Sequence, residues 1–212
     1  TGVTADNLAA VQQAIARTAD DGTGVDTLGE LQSVVTAAAA AAQSALDIIK
    51  AYDGTPSTTT PTAQTYADAG VTGVGAGNLA AVNSAVALLP SAATDTAAEV
   101  QAVVDAYAAV LGAADGADDN DAKPTQAQYA TLGVTGVDTA VEASLLGDVL
   151  DVKPATAADS VAELQALADA VAAMMSGAAG GTPPTKAQLE LLGLTGVTAD
   201  NLAAVQQAIA RT

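Results

Sequence analysis

The 212-residue chain has no His, Cys, Trp or Phe, and its Asp and Glu outnumber its Lys and Arg by 24 to 6, a net charge of −18. Thiol chemistry, disulfides, His-based catalysis and Cys/His zinc sites lack their atoms, and nucleic-acid binding lacks a basic patch and aromatic platforms. Alanine makes up about a quarter of the chain and buries little area per residue, so small helical cores of Leu, Val, Ile and Ala are expected instead of one large core.

Residues 195–212 repeat residues 1–18 letter for letter, and Thr-Gly-Val recurs at 1–3, 72–74, 135–137 and 195–197. One long period therefore holds three diverged units, each expected to be one supersecondary element. In chain order, the first predicted helix carries Leu8, Val11 and Ile15 on one face. The next opens at Thr27, with Glu30 three residues on, a capping box in which each side chain satisfies the other's orphan backbone N–H. Its apolar face runs Leu31, Val35, Ala38, Ala42, Leu46 and Ile49, and a Gly/Pro/Asp/Thr-rich linker follows at 53–60. Pro61-Thr62 then opens a helix of about two turns that holds Tyr66 and stops at Gly70-Val71, a glycine C-cap signature.

The second unit continues with Leu79, Val82, Val86 and Leu89 up to Pro90, then a box of Thr96 and Glu99 heading Val100, Val103, Val104, Tyr107 and Leu111. After the linker 112–123, Thr125 and Gln128 open the next short helix, with Tyr129, and Gly133-Val134 closes it. Val141, Leu145 and Val149 line its successor before Pro154. Ser160 and Glu163 cap the helix of Leu164, Leu167, Val171 and Met174, and a linker follows at 177–183. Thr185 and Gln188 with Leu189 and Gly193-Leu194 repeat the short helix, and the identical copy of the first helix follows.

This pattern predicts an all-α chain of tandem small three-helix bundles strung end to end as an elongated rod. The expected divisions are a partial repeat at 1–60, three-helix repeats at 61–123 and 124–183, and a partial repeat at 184–212. The two partial repeats are complementary, which predicts an unfilled apolar groove on the first and head-to-tail self-association through both. Otherwise the expected partners are neighbouring repeats of the same chain. No apolar run of about 18 residues is present, so no membrane insertion is expected.

Little in the sequence points to chemistry, and no enzyme is expected. The loop Asp115, Asp118, Asp119 and Asp121 offers carboxylates to calcium, but its spacing is not that of an EF-hand, and a solvated, self-repelling linker is the favoured reading. Asp20, Asp21 and Asp26 form a second such candidate, weighed the same way. No other cofactor is indicated. The glycines of 70–77 lack the strand before and the Lys-Ser/Thr after that a phosphate loop needs. Glu30, Glu99 and Glu163 are taken up by caps, and Tyr66, Tyr107, Tyr129 and the Met174-Met175 pair read as core.

Three strings carry a resemblance. They are Pro-Thr-x-x-x-Tyr-x-x-x-Gly-Val-Thr-Gly-Val at 61–74 and 124–137, Asn-Leu-Ala-Ala-Val at 7–11, 78–82 and 201–205, and Glu-Leu/Val-Gln. Together they resemble the tandem α-helical repeats of very large bacterial surface and biofilm proteins, similar to the secreted giant adhesins of Gram-negative bacteria. The resemblance covers essentially the whole chain. It implies an extracellular, acidic stalk or extender that presents other modules at the cell surface, and it carries over no site residues. Leu189 stands for Tyr, Leu194 stands for Val, and the helix of 141–149 lacks Asn-Leu-Ala-Ala-Val. The alternative is a protein-binding three-helix module for a host or matrix protein, which would show an exposed aromatic or apolar patch shared by all units.

Overall fold

The computed structural model describes residues 2–19, 21–119 and 121–211. Among these the chain is all-helical, with no strand and one isolated backbone bridge, Asp115 to Pro154. The α-helices are α1 (Leu8–Ala16), α2 (Leu28–Ala51), α3 (Ala63–Asp68), α4 (Leu79–Val86), α5 (Ala97–Ala113), α6 (Gln126–Thr131), α7 (Ala140–Asp151), α8 (Val161–Ala178), α9 (Lys186–Leu191) and α10 (Leu202–Ile209). Pro90 and Pro154 each lead into a single 3-10 turn, Ser91–Ala93 and Ala155–Ala157, which delivers the chain to α5 and α8. The chain forms two compact units, 1–105 and 106–212.

In the first unit α2 packs against α1 on one side and α3 on another. Its buried stripe is Ala38, Ala42, Ala45, Leu46 and Ile49, while Leu31 and Val35 nearer its start are only half-buried. By length and mean hydropathy α2 is long and apolar enough to cross a membrane, so the lack of a continuous apolar run does not exclude such a helix by composition. In the second unit α8 packs against α7 and α9, with α10 beside it and α6 against α7. Its fully buried face is Leu164, Leu167, Ala168, Ala170 and Val171, and Met174 is half-buried.

Six-residue helices such as α3, α6 and α9 do not persist alone, because nucleating a turn fixes several residues for one hydrogen bond. Each is held at both ends. The hydroxyls of Thr62, Thr125 and Thr185 accept from the backbone N–H three residues on, and the side chains of Thr65, Gln128 and Gln188 bond back to the cap. At the other end Gly70, Gly133 and Gly193 take φ of +83°, +78° and +90°. Val71, Val134 and Leu194 donate to the carbonyls of Tyr66, Tyr129 and Leu189, and the glycines donate to Ala67, Ala130 and Glu190. That pair of bonds is a Schellman closure.

Two buried stripes differ from the sequence expectation. On α7, Val141 is 60% exposed and Leu145 is half-buried, whereas Ala143, Leu146 and Leu150 are buried alongside Val149. Both stripes have helical spacing. The helix starts at a Thr139–Glu142 capping box, and in that register Leu146 and Leu150 face inward. On α5, Val110 is fully buried and Leu111 half-buried, so the stripe runs through Val110 in place of Leu111 and on to Ala113.

The helix stops generate a differential prediction. Any L-residue at Gly70 or Gly193 meets left-handed strain of about 1–2 kcal/mol. At Gly193 a Cβ finds open space, but at Gly70 it would lie 2.8 Å from the backbone nitrogen of Ala10. Gly193→Ala should therefore lower stability by about 1 kcal/mol. Gly70→Ala should cost about 1–3 kcal/mol more, because the α1 backbone must shift. Urea unfolding followed by circular dichroism checks the order, and equal costs would contradict the contact with α1.

Candidate functional site

The acidic loop between α5 and α6 is the first candidate. Carboxylate oxygens of Asp115, Asp119 and Asp121 lie within 4.8 Å of one another, the one such group of three acidic residues among the described residues. Asp118 is not part of it. The loop is shaped by backbone bonds: Asp115 Oδ1 accepts from Ala117 N at 2.8 Å, and Gly116 at φ +85° turns the chain. Asp151, only 6% exposed, accepts from Asp121 N at 3.3 Å. The negative charge of Asp121 holds the Asp119 carboxyl above its usual range, with desolvation, Asp115 and Asp151 adding to it. Such a group offers hard oxygen donors, but calcium takes roughly six to eight of them.

The second acidic candidate does not come together. Asp20 lies outside the described residues. Asp21 is held below its usual range by the backbone N–H and hydroxyl of Thr23. Asp26 is raised by its hydrogen bond with Glu30, which lowers Glu30 in turn. The carboxylates of Glu30 and Glu99 bond the hydroxyl and backbone N–H of Thr27 and Thr96, and Glu163 bonds the Ser160 hydroxyl at 2.7 Å. They are helix starts. In the linker 53–60, Asp53 accepts from Thr55 and Thr58 and so folds the segment into a turn.

A more elaborate arrangement surrounds the Thr-Gly-Val connectors. Gln101 on α5 grips the backbone of Thr72, accepting from its N–H at 2.8 Å and donating to its carbonyl at 3.2 Å. Gln165 on α8 does the same to Thr135, at 2.9 and 3.0 Å. Asp105 and Asp169, one turn further on, accept from the same glutamine amides and fix their orientation. From the other side, Asn78 donates to the Gly73 carbonyl and accepts from Gly75 N, both at 2.8 Å. Asn7 and Asn201 repeat the clasp on Gly2 and Thr4 and on Gly196 and Thr198. The repeats align these Gln and Asn residues, but the sequence alone assigns them no task. Their only signal there is recurrence at a fixed distance from the connector.

The tyrosines of the short helices are fully buried. The Tyr66 hydroxyl donates to Asn83 Oδ1 at 2.6 Å, and Asn83 Nδ2 donates to the Pro61 carbonyl at 2.9 Å. Leu146 occupies the corresponding place on α7, also fully buried, and the Tyr129 hydroxyl has no partner. Burial pushes both phenols up, away from any titration near neutrality. On α10 the same place holds Gln206, which donates to the Pro184 carbonyl at 2.9 Å. The tyrosines thus form no exposed aromatic patch.

An open groove of about 810 Å³ runs along α1. Ala5, Ala9, Gln12 and Ala16 form one wall, with Ala97, Ala98 and Gln101 opposite and Gly70 also at its edge. Asp6 and Asp105 also line it, and Asp105 accepts from the Gln101 amide. No known family, characterised protein or solved structure matches this chain.

The two buried tyrosines should respond differently to loss of the hydroxyl. Tyr66→Phe strands the Asn83 carbonyl and should cost about 1–3 kcal/mol, whereas Tyr129→Phe removes a stranded hydroxyl and should be neutral or stabilising. Equal losses on urea unfolding would contradict the bonding. The acidic loop should respond to pH. Asp119 binds its proton more tightly in the folded loop, so the advantage of protonation is present at low pH and lost as pH rises through its raised value. Asp119→Asn should melt higher than the parent at neutral pH, with the gap closing toward pH 3.8. A gap that widens on acidification would refute the assigned repulsion.

Proposed function

We propose that the chain is a non-catalytic stalk or extender: a tandem array of three-helix repeats, at 61–123 and 124–183 with partial repeats on either side, in a large bacterial surface or secreted adhesin. The observation that carries this reading is the connector. Recurring polar residues are spent on the chain's own backbone: Gln101 and Gln165 on Thr72 and Thr135, and Asn7, Asn78 and Asn201 on the loops before them. A module that recognises a ligand would be expected to spend recurring side chains on its surface. Here recurrence preserves joints, and length grows with the number of copies. The charge of −18 suits a long array that must stay soluble and keep its distance from an anionic envelope. Extracellular placement rests on the resemblance of the repeat strings, and the neighbouring repeats are the expected partners.

Small-angle scattering tests the rod. A compact globule of this length has a radius of gyration of about 17 Å. End-to-end repeats, each about as long as a 25-residue helix, should give roughly 30 Å. A value near the lower figure would remove the extender reading.

A further inference from the structure

The linker 53–60 differs in composition from the other two. Five of its eight residues carry hydroxyls, Thr55, Ser57, Thr58, Thr59 and Thr60, with Pro56 among them and Pro61 behind them. The linker 112–123 has no Ser or Thr, and 177–183 has Thr182 alone. A Ser/Thr-rich segment broken by Pro packs no core and leaves hydroxyls in water. Folding then sorts these hydroxyls into two groups. Thr55 and Thr58 donate to Asp53 Oδ1 at 2.7 and 2.8 Å, and Ser57 Oγ lies 2.6 Å from Thr55 Oγ1, so these three close the turn. Thr59 and Thr60 are exposed, and among the described residues neither hydroxyl has a hydrogen-bond partner. Residues 59–61 run without turn or helix up to the Thr62 cap of α3. Pro61 holds Thr60 away from the helical region.

We propose that Thr59 is an O-glycosylation site, which takes a neutral hexose or its N-acetylamino derivative from a nucleoside-diphosphate sugar. Two observations select the residue and the chemistry. First, Thr59 stands at the edge of a shallow groove of about 330 Å³. Asp47, Ile48 and Ala51 at the end of α2 line it, with Ser57 and Thr58 of the linker. A pyranose presents the matching surfaces: apolar C–H faces for Ile48 and Ala51, and hydroxyls for the Asp47 carboxylate and the linker oxygens. Thr60, equally exposed, does not line the groove. Second, charge selects a neutral group over a phosphoryl group on the same oxygen. Asp47 lines the groove, Asp53 closes the turn beside it, and the chain carries −18, so a phosphate would meet like charge. A sugar adds bulk and hydration without charge. The chain has no Asn-x-Ser/Thr string, so the hydroxyl oxygen is the route open to a sugar.

In the transfer, Thr59 Oγ1 forms a bond to the anomeric carbon of the sugar. The bond from that carbon to the diphosphate breaks, and the nucleoside diphosphate leaves with the bonding pair. The hydroxyl proton passes to a base of the cell's glycosyltransferase, and nothing is oxidised or reduced. The stretch 59–61 gives such an enzyme access to a free hydroxyl. A helical threonine such as Thr36 does not, because its hydroxyl already donates to the Gln32 carbonyl at 2.8 Å. Once attached, the sugar fills the groove and ties the linker to the end of α2. Exposed loops of small polar residues are where proteases cut, and the sugar covers such a stretch.

Mass spectrometry of the protein purified from the cells that make it carries the test. Its mass should exceed the sequence mass by at least one hexosyl or N-acetylhexosaminyl residue. Electron-transfer fragmentation should place that excess on Thr59. Mild base should remove it by β-elimination and leave residue 59 dehydrated. Thr59→Val made in the same cells should lose the increment, whereas Thr59→Ser and Thr60→Ala should keep it. A chain of unaltered mass would overturn the proposal. So would sugar on Thr60 or another residue with Thr59 bare, or an increment on Thr59 that a phosphatase removes. A bare Thr59 would leave the extender reading standing, because scattering reads length and mass reads linkage.

Discussion

The arrangement depends on how a Thr-Gly-Val tripeptide is held. The connectors at 72–74 and 135–137 each join a helix too short to stand alone to one that must point elsewhere, and each contains a glycine in the left-handed region, Gly73 or Gly136. Left free, such a segment would let the short helix swing. It is instead fastened twice, by an asparagine or capping side chain from the helix after it and by a glutamine from the long helix beyond. Each bond contributes only about 1 kcal/mol net. Together they fix main-chain atoms on which α3 and α6 depend for their direction.

The same economy governs the core. With no Phe or Trp, the largest fully buried side chains are Tyr66, Tyr107 and Tyr129, followed by Ile49 and a set of leucines. Alanine does the rest: Ala42, Ala69, Ala85 and Ala168 are all at 0% exposure. Small side chains bring helix backbones close and leave little tolerance for added volume, which is why a single Cβ at Gly70 would reach the main chain of α1. Two polar groups of this core contrast. Asn83 is satisfied by Tyr66 and Pro61, and the stranded Tyr129 hydroxyl coincides with Leu146 in place of an amide.

The helices and their ends are legible in the sequence because they are local. Thr27 with Glu30, Thr125 with Gln128 and Gly70 with Val71 are patterns within six residues, and hydrogen bonds of that reach follow from helix geometry alone. What the sequence hides is long-range or degenerate. The Gln101–Thr72 grip spans 29 residues, and nothing in the local sequence says where the amide will point. On α7 two apolar stripes fit the helical period equally well, and packing chose Leu146 and Leu150 over Val141 and Leu145. The acidic loop is legible as a cluster, yet only folding separates Asp118 from Asp115, Asp119 and Asp121 and sets Asp151 beside them.

The glutamine grip rests mainly on peptide groups, with the Thr72 and Thr135 hydroxyls donating to the same Gln101 and Gln165 Oε1 atoms at a longer 3.4 Å. It asks of the connector one N–H and one C=O in the right place, and every residue but proline supplies both. Sequence drift in the side chains of Thr72 or Thr135 therefore gives up one long hydroxyl bond and keeps the two main-chain bonds, provided the neighbouring glycine is kept. For a gene made of near-copies this has an evolutionary meaning. Unequal recombination that adds or deletes one whole unit meets at its new seam the same main-chain socket and the same glutamine plug. Such a chain can change its length in a single genetic event without having to evolve a new junction.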